Sequence, residues 1–292
     1  MATMRAIRTR IKTVTSTQQI TKAMKMISVS KLRRTQAAMT AMRPFAEKSR
    51  EILDTLLSGG GYENRFLTPR AEVKKVCYVL YVGNRGLCGA YNSGVLRHMA
   101  ELAAAETHEY SVVVLGRWGR DVMRRLNLPV SMVFDSVSDT PTAQQGIEIA
   151  EYLKELYLNG EADKIVLVYQ HFKNALTQIP TDTVLLPATP EIRDGAAASA
   201  AVNSGYLFEP DQATILENVM QLYINNTVYS ALLEAKSGEH SSRLTAMTAA
   251  SDNTDELIGE LNLKLNRARQ TQITTEISEI VGGASALRKK KT

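Results

Sequence analysis

Apolar positions near the start of the chain step by three and four. Met4, Ile7, Ile11, Val14, Gln18 and Thr21 form one seam, with polar side chains in its last two places. That stepping is the mark of a coiled-coil helix. A second stripe is read through Ile20, Met24, Ile27, Leu32, Met39 and Met42. No glycine interrupts the run up to about Leu57. Pro44 is its one breaker and is expected to kink or loosen the helix near Arg43. Ser58-Gly59-Gly60-Gly61 is a firm stop. A helix of about fifty residues would span about 75 Å, longer than a compact domain of this size is across.

The pattern changes between about Val73 and Gly205. Lys75–Val82, Ser111–Leu115, Lys164–Tyr169 and Thr183–Leu186 are short apolar, β-branched runs and predict strands. Helical stretches lie between them, at Ser93–Ala105, Arg117–Leu126 and Thr142–Leu158. Alternating strands and helices predict a mostly parallel sheet with helices on its faces. The Ala-rich run from Gly195 to Ala201 reads as a connector, either loop or tether.

Glu209-Pro210-Asp211 then signals a helix start. The helical pattern continues to Leu287, with Gly238 and Gly259 the isolated glycines along most of it. Its stripes are Ile215, Val219, Leu222, Tyr229 and Leu233, then Ile258, Leu261, Leu265 and Ala268, then Ile273, Ile277, Ile280, Ala284 and Leu287. The step of five from Ala268 to Ile273 shifts which side is apolar. If continuous, this helix is on the order of 110 Å long.

These elements predict an α/β protein in which a long antiparallel coiled coil of the N- and C-terminal helices flanks a Rossmann-like α/β domain. The expected segments are 1–58 for the first long helix, 73–205 for the α/β domain and 209–292 for the second long helix with its tip. Nothing within the chain is large enough to cover both helices, so the apolar tip of the longer one requires partners.

Composition sharpens this only at a few points. The chain has 292 residues and 44% hydrophobic content, enough for a sizeable core, and aromatic residues make up only 6%, a helix-rich diet. The net charge of +5 favours acidic partners weakly. The stretch from Arg5 to Arg43 is more pointed, because it holds many Lys and Arg and no Asp or Glu. It reads either as a solvated face or as a surface that meets an acidic one. Cys77 and Cys88 lack metal-site spacing and read as buried free thiols. No apolar run approaches a membrane span, and Met1–Arg5 lacks an apolar signal core; it resembles the start of a basic transit peptide, but the helix periodicity begins at once, so it is read as mature sequence.

Candidate chemistry is sparse. Gly83-Asn84-Arg85-Gly86-Leu87-Cys88-Gly89 sits between a strand and a helix, where dinucleotide loops lie. Its G-x-x-G-x-x-G spacing is neither the Rossmann fingerprint nor a P-loop. The bland reading is a tight turn in which Arg85 anchors the loop or a partner. Glu276 and Glu279 share a helical face, but acid–base work needs a pocket that a lone helix does not form.

Three separated motifs carry a resemblance. Thr17-Gln18-Gln19-Ile20-Thr21-Lys22-Ala23-Met24-Lys25-Met26 with Ser30-Lys31-Leu32-Arg33, then Arg85-Gly86-Leu87-Cys88-Gly89, then Ile273-Thr274 through Glu276, Glu279, Gly283-Ala284 and Ala286 resemble, in order, the signatures of the gamma subunit of the rotary proton-driven ATP synthase, bacterial type. The resemblance spans nearly the whole chain. It implies a central rotor shaft that turns inside a hexamer of alpha and beta subunits and couples proton flow to ATP synthesis or hydrolysis at the beta sites. The implied partners are alpha, beta, the epsilon subunit and the membrane ring of proteolipid (c) subunits. The resemblance implies no cofactor, metal, nucleic acid or chemistry of the chain's own. The implied location is peripheral, on the cytoplasmic side of the cell inner membrane.

The resemblance also maps residues. The contact between shaft and beta loops falls on Arg269 and Gln270, with Thr274 and Glu276 close by. The sensitive N-terminal methionine falls on Met24, beside Lys25. Ile277, Ile280, Val281, Ala284 and Leu287 suit an apolar bearing, and Arg85 and Gly86 belong to the base loop. Gly83-Asn84 departs from the family's more frequent Ser or Thr followed by Asp. The connector lacks the cysteine pair of the chloroplast type, so thiol switching is not expected. The basic tail Arg288–Lys291 is left without a role.

Two rival readings make different predictions. A nucleic-acid-binding coiled coil would show DNA affinity that falls steeply with salt. A nucleotide-dependent enzyme on the α/β unit would bind nucleotide saturably as an isolated chain.

Overall fold

The structure, a computed structural model, describes residues 4–58, 64–126, 128–188, 209 and 211–289, the side chains of residue 58 and of residues beyond 284 excepted. The Gly59–Gly61 stop, the Ala-rich connector, Pro210 and the side chains of Leu287 and the basic tail lie outside the described residues. In chain order the elements are α1 (Met4–Ser58), β1 (Lys75–Tyr81), α2 (Tyr91–Ala105), β2 (Glu109–Leu115), α3 (Arg117–Arg125), β3 (Val130–Phe134), α4 (Ala143–Leu158), β4 (Lys164–Phe172), β5 (Gln178–Leu186) and α5 (Gln212–Lys289). The chain divides into two compact units, one of Met1–Ile27 with Leu244–Thr292 and one of Ser28–Arg243.

In the Ser28–Arg243 unit the sheet order is β3-β2-β1-β4-β5. β1 runs parallel to β2 and β4, β2 parallel to β3, and β5 antiparallel to β4. Alternate residues of β1 point to opposite faces. Cys77, Val79 and Tyr81 join a core with Leu53 and Leu56 of α1, Ile149 and Leu153 of α4, and Leu216 and Met220 of α5. Val76, Tyr78 and Leu80 join the other core, with Val95 and Met99 of α2 and Met123 of α3. Burial on both faces explains the unbroken apolar runs of the central strands.

Two elements differ from the sequence reading. β3 was not expected: it is a short edge strand after Pro129, half exposed, and carries no alternation strong enough to read. β5 begins at Gln178, well before Thr183, because its first half is an exposed edge of polar and mixed residues around Pro180.

Helix α1 is continuous through Pro44. Its first seam is the covered one. In the Met1–Ile27 unit, Met4, Ile7, Ile11, Val14 and Gln18 are half-buried and Thr21 is buried. The second stripe is corrected: Ile20 and Ile27 are 60% and 52% exposed. In the larger unit the covered positions are Ser28, Leu32, Thr35, Ser49, Leu53 and Leu56, which keep the three-four stepping. The second stripe holds at Leu32, which is buried, and misses at Ile20 and Ile27, because the covered seam is built partly of hydroxyls. Thr21 and Thr35 satisfy theirs locally by donating to Gln18 O and Leu32 O, each at 3.0 Å. Leu222 of α5, also placed in a stripe, is 43% exposed.

Asp211 caps α5 by accepting hydrogen bonds from Thr214 N and Thr214 Oγ1 at 2.9 and 2.7 Å. In the larger unit α1 and α5 run antiparallel: Ser237 Oγ donates to Thr35 Oγ1 at 2.9 Å, while Leu53 and Leu56 pack in the core that holds Leu216 and Met220. In the other unit, Gln18 Nε2 donates to Asp255 Oδ1 and Lys22 lies 3.6 Å from the same carboxylate.

Candidate functional site

In open α/β sheets, ligands bind outside the carboxyl ends of the strands, where the strand order reverses. Here that point lies between β1 and β4, flanked by the loop 82–90 after β1 and the loop 173–177 after β4. The crevice is filled by the chain's own α5. Ser242 Oγ donates to Cys88 O at 2.6 Å and Ser241 Oγ to Ala175 O at 2.5 Å, one bond to each wall. Arg243 Nη2 reaches Arg85 O and Gly86 O, both at 3.4 Å. Gly238 lets α5 come this close, since a Cβ there would lie 3.2 Å from the Tyr91 ring.

Three charges are buried at this contact. Glu239 is 1% exposed, Lys236 3% and Arg243 9%. Lys236 Nζ lies 2.9 Å from Glu239 Oε2, and Arg243 Nη2 lies 2.7 Å from Oε1. Burial alone would raise the Glu239 pKa, but the two cations overcome it and hold the carboxyl below its ordinary range. The spacing of three and four places all three groups on one face of α5. Such a run reads as a solvated face in sequence, and no signal in it announces burial.

A second tie joins α1, the loop after β3 and α5. Lys31 of α1 pairs with the Asp139 carboxylate, and His240 Nε2 donates to Asp139 O at 2.7 Å. The carbonyl acceptor fixes the Nε2–H tautomer of His240, and burial lowers its pKa. Burial would raise the Asp139 pKa, but the hydrogen bond from Lys31 and the nearby Lys236 charge carry it down. Asn84 ties the strand loops together, donating Nδ2–H to Val137 O at 2.7 Å and accepting from Arg117 N at 3.3 Å. An Asp at this place has no donor for Val137 O, which gives the departure at Asn84 a structural meaning.

Arg85 and Gly86 are exposed, and it is their carbonyls that anchor the loop. Leu87 and Gly89 take left-handed backbone, with φ of 60° and 55°, turning Cys88 inward. Cys88 is 2% exposed and Cys77 0%, both as free thiols. Burial raises both pKa values, that of Cys77 to about 11, so neither is an activated nucleophile.

The remaining predicted residues lie in the Met1–Ile27, Leu244–Thr292 unit. Met24 and Lys25 are half-buried on α1. On α5, coverage fades after Leu261: Ile258, Leu265 and Ala268 are half-buried, and every position from Arg269 to Ala284 is exposed. Ile277, Ile280 and Val281 are 55%, 71% and 59% exposed. Gln272 Nε2 donates to Glu276 Oε1 at 2.8 Å, and Thr274 Oγ1 to Gln270 O at 2.9 Å. The surface groove along Arg267, Gln270, Thr271, Thr274, Ser278 and Glu279 belongs to one helix, which cannot enclose a ligand. Glu276 and Glu279 therefore have no enclosing pocket among the described residues. Among the described residues no cluster of His, Cys, Asp and Glu could hold a metal ion. No described helix is long and apolar enough to cross a membrane.

The fold and site define a protein of two long helices in which an α/β unit of nucleotide-binding topology serves as a mount for a helix. Its relatives narrow this further. The family profile described as ATP synthase matches residues 3–287. The chain is 41% identical to the ATP synthase gamma chain of Pelotomaculum thermopropionicum, over 98% of this chain and all of that one. It is 39% identical to the ATP synthase gamma chain of Chlorobium phaeobacteroides, over 99% of each. Its fold is similar to a chain of the Euglena gracilis mitochondrial ATP synthase (OSCP/F1/c-ring), with a TM-score of 0.69 at 20% identity over 99% of this chain and 96% of that one. A chain of the Tetrahymena thermophila central stalk and c-ring matches with a TM-score of 0.57 at 25% identity, over 80% and 99%. The chain belongs to the ATP synthase gamma chain family.

Proposed function

We propose that this chain is the central-stalk rotor of a bacterial proton-translocating ATP synthase, with no bond chemistry of its own. The observation that carries the reading is the state of α5: it fills the one crevice the sheet offers a nucleotide, and it continues past Ala268 with its apolar side chains uncovered. A large exposed apolar stripe needs a partner surface. In this reading the hexamer of alpha and beta subunits supplies it. Arg269, Gln270, Thr274 and Glu276 engage beta loops together with Met24 and Lys25, and Ile277, Ile280, Val281, Ala284 and Leu287 turn within an apolar sleeve. A bearing of that kind has few directional bonds, so rotation meets no deep well.

The segments 1–58, 73–205 and 209–292 then have separate duties as first shaft helix, base and second shaft helix. Arg85 and Gly86 belong to the base, and epsilon and the proteolipid ring bind there and on the lower coiled coil. The complex places the chain on the cytoplasmic side of the inner membrane as a peripheral subunit. The mass of the native complex tests the reading: one copy of this chain per alpha–beta hexamer is expected. Recovery as a separate protein that binds nucleotide saturably would overturn it.

A further inference from the structure

Arg117-Trp118-Gly119-Arg120-Asp121-Val122-Met123-Arg124-Arg125 makes up the whole of α3. Steps of three and four place Arg117, Arg120, Asp121 and Arg124 on one face, and all four are exposed, as is Arg125. The other face is buried through Gly119 and Met123, over the core on which Val130 and Val133 of β3 pack. Four arginines here meet two aspartates, and Arg120 takes both. Its Nε lies 3.2 Å from Asp121 Oδ1, and its Nη1 lies 3.0 Å from Oδ2 of Asp135, the residue just past β3. Arg117 and Arg124 pair with no acid among the described residues. Guanidinium does not lose its proton, so the face stays positive across the working pH range.

This face lies beside an open sheet edge. In the order β3-β2-β1-β4-β5, β2 is the only strand neighbour of β3. The two edges of the sheet differ in kind. β5 carries Pro180 and Asp182, two of the devices that keep an edge from pairing. β3 reads Val130-Ser131-Met132-Val133-Phe134, with neither proline nor charge. Its register with β2 shifts at the start, between Val112 and Val113, and is regular through Met132, Val133 and Phe134. The two sides of that edge are unlike. Val133 points to the α3 side, while Phe134 meets Tyr152 of α4 edge-on at 5.6 Å on the other. By alternation Met132, 38% exposed, shares the side of Phe134.

We propose that the β3 edge takes an extended segment of a partner protein as an added strand, and that this segment alternates acidic with apolar residues. Backbone pairing along Met132–Phe134 supplies part of the affinity, and alternate side chains supply the choice of partner. The acidic set lies on the α3 side, within reach of the unpaired Arg117 and Arg124. The apolar set lies on the side of Met132 and Phe134. A second copy of this chain is the wrong occupant, because antiparallel pairing of two β3 edges would lay two arginine faces side by side. The proposal concerns the Ser28–Arg243 unit alone and does not rest on the rotor reading.

The test uses the full purified chain and a labelled, end-blocked peptide of alternating Glu and Val. Saturable binding is expected by fluorescence anisotropy, and it should weaken as salt rises. A block isomer of the same composition, with every Glu before every Val, is expected to bind at least about tenfold more weakly. Of two forms N-methylated at every Val or at every Glu, one should lose binding and the other keep it, because alternate N–H groups face β3. Bound peptide should slow amide exchange at residues 130–134 and leave residues 178–182 unchanged. Arg117→Glu combined with Arg124→Glu is expected to weaken binding by at least about tenfold. The N-methylated peptides carry the test if that variant does not fold. Absence of saturable binding to the unaltered chain overturns the proposal. So does equal binding of the block isomer, of both N-methylated forms or of the folded double variant. Self-association of the chain that the peptide displaces would give the edge to a second copy and overturn the acidic partner.

Discussion

A Cβ atom at Gly83 would lie 2.9 Å from the carboxyl carbon and from Oε1 of Glu239. The strand-end glycine and the buried carboxylate of α5 therefore occupy one fitted contact. A carboxylate on a flexible side chain could ordinarily swing away. This one is held at 2.9 Å from Lys236 and 2.7 Å from Arg243.

Gly83→Ala is therefore expected to destabilise the chain by about 1–3 kcal/mol, the usual cost of overpacking. Urea unfolding of the full chain measures it. Exchange of the amides in the 85–89 loop should quicken as well, because Arg243 can no longer hold both Glu239 and the loop carbonyls. A change below about 0.5 kcal/mol would mean that Glu239 yields freely.

Glu239→Gln leaves Lys236 and Arg243 buried without their counter-charge, and a loss of about 3–5 kcal/mol is expected. Glu276→Gln on the exposed part of α5 removes the same charge and should stay within about 0.5 kcal/mol. Equal effects in the two variants would contradict the assigned burial.

His240 gives a pH dependence whose sign follows from its lowered pKa. Its neutral form is the folded one, so the unfolded chain binds the proton more readily. Stability is full above the ordinary histidine value of about 6.5 and falls as the pH drops below it. The groups facing it are Asp139, Glu239, Lys236 and Arg243. In His240→Gln, the side-chain amide can still donate to Asp139 O, and the fall in urea midpoint between about pH 7.5 and pH 5.5 should shrink. An unchanged fall would assign the titration to other groups.

Ile280→Asp and Ala284→Asp lie on the uncovered end of α5, where Ile280 is 71% exposed. Neither should shift unfolding of the isolated chain by more than about 0.5 kcal/mol. Both should impair assembly with the hexamer or ATP-driven rotation in a single-molecule assay. Rotation at the unaltered rate and yield would remove the apolar end of α5 as the bearing.

The helices were legible where periodicity and burial coincide. In the stripe Ile258, Leu261, Leu265 and Ala268, Leu261 is buried and the others are half-buried, and the change of phase after Ala268 falls where every position becomes exposed. The stripe through Ile20 and Ile27 misled because the covered positions include polar side chains such as Thr21 and Thr35, whose hydroxyls are satisfied by local bonds to Gln18 O and Leu32 O. β3 was illegible because an edge strand need not alternate.

The chain alone determined that long helical patterns precede and follow an alternating α/β region, that its glycine-rich loop has neither the Rossmann nor the P-loop spacing, and that the last stripe of α5 is apolar. All of these follow from local pattern and spacing. Only the tertiary structure decided that Lys236, Glu239, His240 and Arg243 are interior groups. Those four residues follow the loop 82–90 by some 150 positions, and they read as solvent-facing until α5 is laid in the crevice between β1 and β4. Burial of a charge is a property of what packs against it, and the partner here is the carboxyl end of a sheet distant in sequence.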